Sequence, residues 1–151
     1  MHYFTDLPLS SAASYRPIHA TKPLLDTNIV SGMMRHPTGA VFQRISEVGE
    51  DSICTSIVVI CELHFGVKKH GSERLAQRLK DVVRLLPVIA LSSPAENYYA
   101  DARAHLEKSG MPIGPNDLLI AAHALSLDLT VVTANVQEFS RVPGLRVENW
   151  L

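Results

Sequence analysis

The sequence predicts a single layered α/β domain with a mostly parallel sheet. From Leu24 onward, short apolar segments alternate with amphipathic helical segments, a pattern typical of strand–helix–strand units. The length of 151 residues suits one domain, and a composition of 46% apolar and 19% charged residues excludes an intrinsically disordered chain. The longest aliphatic run has five residues, from Ile57 to Cys61. A membrane helix needs roughly 20, so we expect no membrane span.

The first 23 residues are predicted to be an N-terminal arm or extension, followed by a domain that spans residues 24–151. This arm has no helical or strand periodicity. It also differs from a secretory signal, because Asp6 interrupts it and it lacks a continuous apolar segment of about 7–15 residues. Two cysteines, Cys54 and Cys61, are too few for a disulfide framework. We therefore expect buried, reduced thiols in a cytoplasmic protein.

Two strands and three helices are predicted in the first part of the domain. Apolar residues at helical spacing define each helix, and Pro37 and Gly49 end the first two. Thr55 or Ser56 is positioned to cap the third helix, because a hydroxyl oxygen accepts hydrogen bonds from exposed backbone amides. In chain order, the predicted segments are strand 24–25, a helix with Ile29, Val30, Met33 and Met34 on one face, a helix with Val41, Ile45 and Val48, strand 52–55, and a helix that carries Glu62.

Three helices and three strands are predicted in the remainder. Residues 72–86 have the apolar face of an amphipathic helix. Ser93 and Glu96 have the spacing of a capping box, with Pro94 at the first position of a helix that runs to Gly110. The predicted buried stripe of that helix is Ala95, Tyr98, Ala102 and Leu106. The other predicted segments are strand 88–91, a largely buried helix that starts at Pro115, strand 129–133, a polar turn at 134–139 and strand 145–147.

Three acidic residues lie beside apolar segments where an ordinary core would exclude charge. Asp26 follows the first strand, Glu62 lies in the helix that contains the aliphatic run, and Asp117 precedes the apolar body of the most buried helix. In a parallel α/β sheet, strand ends and the first turns of the following helices meet at the carboxyl edge, where ligands bind. We therefore expect these three side chains to converge.

A divalent cation is the simplest way to stabilise three gathered carboxylates. Burying them costs several kcal/mol and raises their pKa values unless a cation neutralises them. Oxygen ligands alone favour Mg²⁺ or Mn²⁺, and the histidines do not have metal-ligand spacing on any one element. Such an ion commonly activates water for attack on phosphorus, which indicates phosphodiester hydrolysis. The alternatives are helix-cap or first-turn roles for Asp26 and Asp117 and an ion pair for Glu62.

The net charge of −1 provides no general basic surface for binding nucleic acid. One segment is nevertheless basic, because residues 68–84 contain six Lys and Arg residues and only two acids, Glu73 and Asp81. This segment is interpreted as a patch that contacts nucleic-acid phosphates, or alternatively as the solvated face of a helix. Its basic residues are Lys68, Lys69, Arg74, Arg78, Lys80 and Arg84. A bound divalent ion would further raise the net charge to about +1.

Four motifs occur in order along residues 24–150. They are LLDTN at 24–28, CEL and FGV within 61–67, PIGPNDLLIAAHA at 112–124, and VTANVQEF at 132–139 followed by VPGL at 142–145 and ENW at 148–150. Together these motifs resemble the PIN-domain ribonuclease toxins of bacterial VapBC toxin–antitoxin modules. The resemblance implies a three-layer α/β/α fold and an endoribonuclease that depends on Mg²⁺ or Mn²⁺. It also implies an RNA target that is often a tRNA, a homodimer, and inhibition by a VapB-type antitoxin.

The resemblance also implies roles for individual residues. The catalytic carboxylates would be Asp26, Glu62, Asp117 and Glu138, with Asp26 and Asp117 as the principal metal ligands. Thr27 and Asn28 would order the first acid. Asn135 stands where many PIN domains have a fourth acid, so Glu138, three residues later, is expected to supply that carboxylate.

Two other functions are compatible with parts of the sequence. One is a PIN-like RNA-binding or protein-interaction scaffold without catalysis, motivated by Asn135 and the near-neutral charge. Intact Asp26, Glu62 and Asp117 count against it. The other is a nucleotide-binding or phosphatase-like α/β protein, which is disfavoured because no Gly-rich phosphate loop follows any predicted strand.

Overall fold

The computed structural model describes residues 22–151, which form a five-stranded sheet connected by helices. All four strand pairings are parallel, in the order β3-β2-β1-β4-β5, which confirms the predicted fold class. The strands are β1 (Pro23–Leu25), β2 (Cys54–Ser56), β3 (Val88–Ile89), β4 (Thr130–Val132) and β5 (Arg146–Glu148). The helices are α1 (Thr27–Arg35), α2 (Ala40–Val48), α3 (Ile57–His70), α4 (Glu73–Leu85), α5 (Ala95–Lys108), α6 (Pro115–Ser126) and α7 (Val136–Phe139).

The strand order divides the helices into two layers. The chain runs outward from β1 through β2 to β3 and then returns to the opposite side of β1 to form β4 and β5. Right-handed crossovers therefore place the helices before β3 on one face and those after it on the other. The packing agrees, because α1 contacts α2, α3 and α4, whereas α5 packs along α6. The result is a three-layer α/β/α domain.

The core is centred on the three inner strands. Leu24, Leu25, Cys54, Val131 and Val132 have no solvent exposure, whereas the edge strands β3 and β5 are only half-buried or exposed. Inner strands of a parallel sheet are covered on both faces, so they carry continuous apolar residues instead of alternating ones. This arrangement buries any polar residue that directly follows β1 or β4.

The start of α3 confirms one predicted cap and corrects one predicted strand. The Ser56 hydroxyl accepts a hydrogen bond from the Val58 amide at 3.1 Å, so Ser56 is the cap. Ser56 Oγ also lies 2.8 Å from Nδ1 of the buried His123 on α6. The strand begins at Cys54, because Ser52 lies in a single 3-10 turn that precedes it.

Two predictions for α5 were wrong. Pro94 occupies the cap position, and the Ser93 hydroxyl donates to the Glu96 carboxylate at 2.6 Å instead of capping the helix. Tyr98 is 39% exposed, and Tyr99 packs against the core in its place. Relative to Ala95, a four-residue step turns the helix through about 400°, which returns closer to the same face than the 300° of a three-residue step.

Cys54 is buried as predicted, whereas Cys61 is exposed because it lies on the outer side of α3. Burial raises the pKa of the Cys54 thiol to about 11. The predicted N-terminal arm falls almost entirely on residues 1–21, which lie outside the described residues, so the domain boundary stays a prediction. Within residues 22–151, no helix is long and apolar enough to cross a membrane.

We expect Ser56→Ala to destabilise the protein more than Ser72→Ala, although both substitutions remove a helix cap. Loss of the Ser72 cap on α4 costs about 1 kcal/mol. Loss of Ser56 costs about 1–3 kcal/mol more, because it removes the hydrogen-bond partner of Nδ1 of the buried His123. Urea unfolding of both variants measures the difference, and equal losses would contradict it.

Candidate active site

The candidate site lies where the strand order of the sheet reverses. β1 and β4 are adjacent, and their connections leave in opposite directions, which opens a crevice at their carboxyl ends. Asp26 follows β1 and Thr133 follows β4. The Asp26 amide donates to the Val132 carbonyl at 2.9 Å, so the pairing continues into the site. The sheet therefore fixes the position of both residues.

Asp26 is the most buried carboxylate of the site, with 2% exposure. Its Oδ2 atom accepts hydrogen bonds from Thr133 Oγ1 at 2.7 Å and from Asn28 Nδ2 at 3.3 Å. Its Oδ1 atom is buried and has no partner among the described residues. Burial raises the pKa of Asp26, the charge of Glu62 adds to the rise, and the hydrogen bonds oppose it. Its side chain does not cap α1, which removes the helix-cap alternative.

Glu62 reaches the site from the second turn of α3. Thr27, the first residue of α1, donates from Oγ1 to Glu62 Oε1 at 2.6 Å. None of the Lys and Arg side chains in residues 22–151 forms an ion pair with Glu62, which removes the ion-pair alternative. Thr27 therefore holds the Glu62 carboxylate near Asp26. The negative charge of Glu62 raises the pKa of Asp26.

Asp117 lies in the first turn of α6 and is half-buried. A helix dipole alone would stabilise an ionised carboxylate there. Burial instead raises the pKa of Asp117 to about 7, and the charges of Asp26, Glu138 and Glu62 add to the rise. Asp117 thus lies in the first turn, but burial and repulsion shift its pKa in the direction opposite to the one that the helix dipole favours.

Glu138 on α7 completes a cluster of four carboxylates. Its Oε1 atom accepts the Gly114 amide at 2.8 Å, and its Oε2 atom accepts Asn135 Nδ2 at 2.5 Å. The Gly114 amide is the main reason that the pKa of Glu138 is lowered. Asn135 is exposed and therefore orders Glu138 from the outside of the site. The four acids singled out in the sequence are thus brought together.

Thr133 is a site residue that the sequence analysis missed. Its hydroxyl donates to Asp26 and accepts from Asn28 Nδ2 at 3.3 Å and from the Asn135 amide at 3.0 Å. The Asn28 side chain also accepts the Ala134 amide at 2.9 Å. A usable signal was present, because Thr133 ends a core strand at the same sheet edge as Asp26.

The carboxylates fit a divalent ion whose remaining coordination positions are filled by water and substrate. Among the residues that the structure describes, no three His, Cys, Asp or Glu side chains hold an ion by themselves. Mg²⁺ commonly takes only one or two carboxylates and keeps several waters. The unpartnered Oδ1 of Asp26 and the mutual repulsion at Asp117 are what a bound cation would relieve. Asp26 and Asp117 therefore fit as its ligands.

Comparison with known proteins identifies close relatives. The PIN domain family profile matches residues 24–145. Ribonuclease VapC2 of Rickettsia felis is 38% identical over 129 residues, covering 84% of this chain and 96% of that protein. The tRNA(fMet)-specific endonuclease VapC of Shigella flexneri is 35% identical and covers 85% of this chain and 98% of that protein. The structure of VapBC2 from Rickettsia felis, bound to a promoter DNA fragment, matches with a TM-score of 0.79 at 34% identity, covering 85% and 98% of the two chains.

The raised pKa of Asp117 predicts a specific pH dependence of stability in EDTA. The folded protein binds this proton more tightly than the unfolded chain, where the pKa is about 3.8. Stability from this group is therefore lost as the pH rises from about 4 to about 7. Asp117→Asn should become increasingly more stable than the unsubstituted protein over that range in urea unfolding.

Asp101→Asn, which removes an exposed acid on α5, is the matched control and should show no such trend. A constant stability difference between Asp117→Asn and the unsubstituted protein from pH 4 to 8 would contradict the prediction.

Proposed function

The chain belongs to the PIN-domain family and, within it, to the VapC ribonucleases, and we propose that it is a metal-dependent endoribonuclease toxin. The observation that carries the proposal is the buried Asp26 carboxylate, with one oxygen held by Thr133 and the other left without a partner. The charges of Asp26, Glu62 and Glu138 raise the pKa of Asp117, and a divalent ion would neutralise this repulsion.

Asp26 and Asp117 are the residues that would hold Mg²⁺ or Mn²⁺. When bound, the ion supplies a water of lowered pKa and neutralises charge on the phosphate. Thr133 and Asn28 fix the orientation of Asp26 through its Oδ2 atom, which leaves Oδ1 available. The protein thus prepares one ligand oxygen in advance.

Glu62 and Glu138 have a different role in the proposal. Hydrolysis needs a base that accepts a proton from the attacking water and a group that returns one to the leaving ribose oxygen. Thr27 anchors Glu62, and the Gly114 amide keeps Glu138 ionised by lowering its pKa. Both carboxylates are therefore held in place as proton acceptors, and the charge of Arg141 also lowers the pKa of Glu138.

The proposal extends to partners and location. A relative is named a tRNA(fMet)-specific endonuclease, which supports tRNA as the substrate class. Solved relatives are VapBC complexes, which supports a VapB-type antitoxin as the inhibitor. We further propose a homodimer that acts in the cytoplasm, in keeping with the resemblance of the motifs to the toxin family.

We expect cleavage of tRNA or total RNA in Mg²⁺ or Mn²⁺, and loss of cleavage in EDTA. Asp26→Asn and Asp117→Asn should each lower kcat/KM by at least ~100-fold, because loss of a ligand costs no less than loss of a residue that only orients one. The exposed substitution Asp101→Asn should leave cleavage unchanged. Gel analysis of labelled RNA measures all five reactions, and activity that survives both chelation and substitution would exclude the metal mechanism.

One observation favours a second candidate, an RNA-binding scaffold without catalysis. Asn135 replaces an acid that many PIN domains carry. The hydrogen bond from Asn135 to Glu138 argues against this candidate, because it positions a substitute carboxylate. RNA retention without cleavage in saturating metal would favour the scaffold.

Thr133→Val should lower kcat/KM by ~10–100-fold, because Asp26 loses the donor that orients it. The metal concentration for half-maximal activity should rise, since an unanchored ligand binds the ion less tightly. Thr133→Ser keeps the hydroxyl and should restore most activity. Equal activities of the Val and Ser variants would show that Thr133 acts by packing alone.

A further inference from the structure

A groove with a volume of about 330 Å³ leaves the carboxylate cluster between α1 and α3. Its walls include one residue from each of three successive turns of both helices. These residues are Thr27, Ser31 and Arg35 on α1, and Glu62, Gly66 and His70 on α3. Because residues four apart lie on one helix face, each set is a continuous stripe. The two stripes line the same groove from end to end.

The groove is acidic at its inner end and basic at its outer end. The inner end is the hydrogen-bonded pair of Thr27 and Glu62. The outer end carries Arg35 and His70, on the order of 12 Å further along the helix axes. An occupant that runs along the groove therefore meets the catalytic acids at one end and hydrogen-bond donors at the other.

Arg35 is a cation without an acidic partner among residues 22–151. Its guanidinium is held by its own helix, with Nη2 donating to Ser31 Oγ at 2.7 Å and Nε donating to the Ser31 carbonyl at 3.4 Å. A guanidinium has five N–H donors in a planar fork, so several remain for an anion. Ser31 thus fixes the orientation of an exposed cation before any ligand binds.

Arg78 prepares the same end of the groove for negative charge. The last carbonyls of a helix carry partial negative charge, which would repel a phosphate beside Arg35. The Arg78 guanidinium, reaching from α4, donates to the carbonyls of Met34 and Arg35. It therefore neutralises the end of α1, and this contact removes Arg78 from the exposed basic patch predicted from the sequence.

The middle of the groove has room for a base. A Cβ atom added at Gly66 would meet no atom within 4 Å, so this position is open. Leu63, Val67 and Leu75 supply apolar surface beside it. Phosphates at the ends and apolar contact between them match the alternation of charged backbone and flat base in a single strand.

We infer that this groove binds single-stranded RNA on one side of the scissile phosphate, with Arg35 and His70 contacting a backbone phosphate. The inference rests on the proposed ribonuclease function. Charge complementarity favours RNA over a peptide, because the occupant must present an anion at the outer end and a phosphodiester at the inner end. Arg35 is thus a substrate-binding residue that positions the strand.

Arg35→Gln should raise KM about tenfold with little change in kcat, since it removes a charge-assisted contact remote from the reacting atoms. In EDTA, on an Asp117→Asn background that prevents cleavage, fluorescence anisotropy should show weaker binding of labelled single-stranded RNA. The slope of log K against log salt should fall by about 0.7, the value for one phosphate contact. Arg35→Lys should restore part of both effects.

Arg103→Gln is the matched control, because Arg103 lies on α5 and is paired with Glu107. Unchanged KM and salt slope in Arg35→Gln, equal to the control, would overturn the inference.

Gly66→Leu fills the open position and should also weaken RNA binding. If both groove variants bind RNA normally but lose binding of the antitoxin, the groove is a peptide site and the inference is wrong. Absence of cleavage by the unsubstituted protein would instead count against the proposed function, while the binding measurements still test the groove.

Discussion

The buried carboxylate of Asp26 is the constraint on which the rest of the site depends. Leu24 and Leu25 are fully buried, so the strand that forms the centre of the core also carries Asp26 out of water. An uncompensated charge there would cost several kcal/mol. Thr133 and Asn28 compensate one oxygen, and the second has no partner in the described residues. The burial that stabilises the sheet therefore leaves part of the Asp26 charge uncompensated, and a bound cation would compensate it.

The other three acids add to the negative charge around Asp26. Two of these carboxylates are held by hydrogen bonds from different elements: Glu62 by the start of α1, and Glu138 by the Gly114 amide and Asn135. Because these anchors do not neutralise charge, repulsion accumulates at Asp117, whose pKa rises to about 7. A divalent ion bound at the cluster would lower this pKa and favour release of the proton. Metal binding and proton release are thus linked through Asp117.

The fold and the acids were predictable because they leave strong signals in a sequence. The alternation of apolar strands and amphipathic helices predicts the parallel sheet. The position of Asp26, Glu62 and Asp117 beside apolar runs predicts that they belong to a site. Thr133 has only a weaker signal, its position at the end of a core strand, because an uncharged residue there is ordinary until its partner is known. Tyr98 was wrongly predicted to be buried, because adjacent aromatics suit a helix face almost equally, and it is Tyr99 that packs against the core. The paired stripes of α1 and α3 needed the tertiary structure, because spacing shows one face and never which face lies opposite.

Those stripes explain how a chain with a net charge of −1 can bind a polyanion. Binding depends on the local field, which clefts concentrate, more than on the total charge. Here Glu62 lies at the inner end of the groove, beside the acids whose charge a divalent ion would offset, and Arg35 lies at the outer end without an ion pair to any acid in residues 22–151. In the metal-free protein the inner end repels phosphate and the outer end attracts it, so the groove is polarised. A bound ion would make both ends attractive to phosphate, so metal binding would favour binding of the RNA strand as well as its hydrolysis.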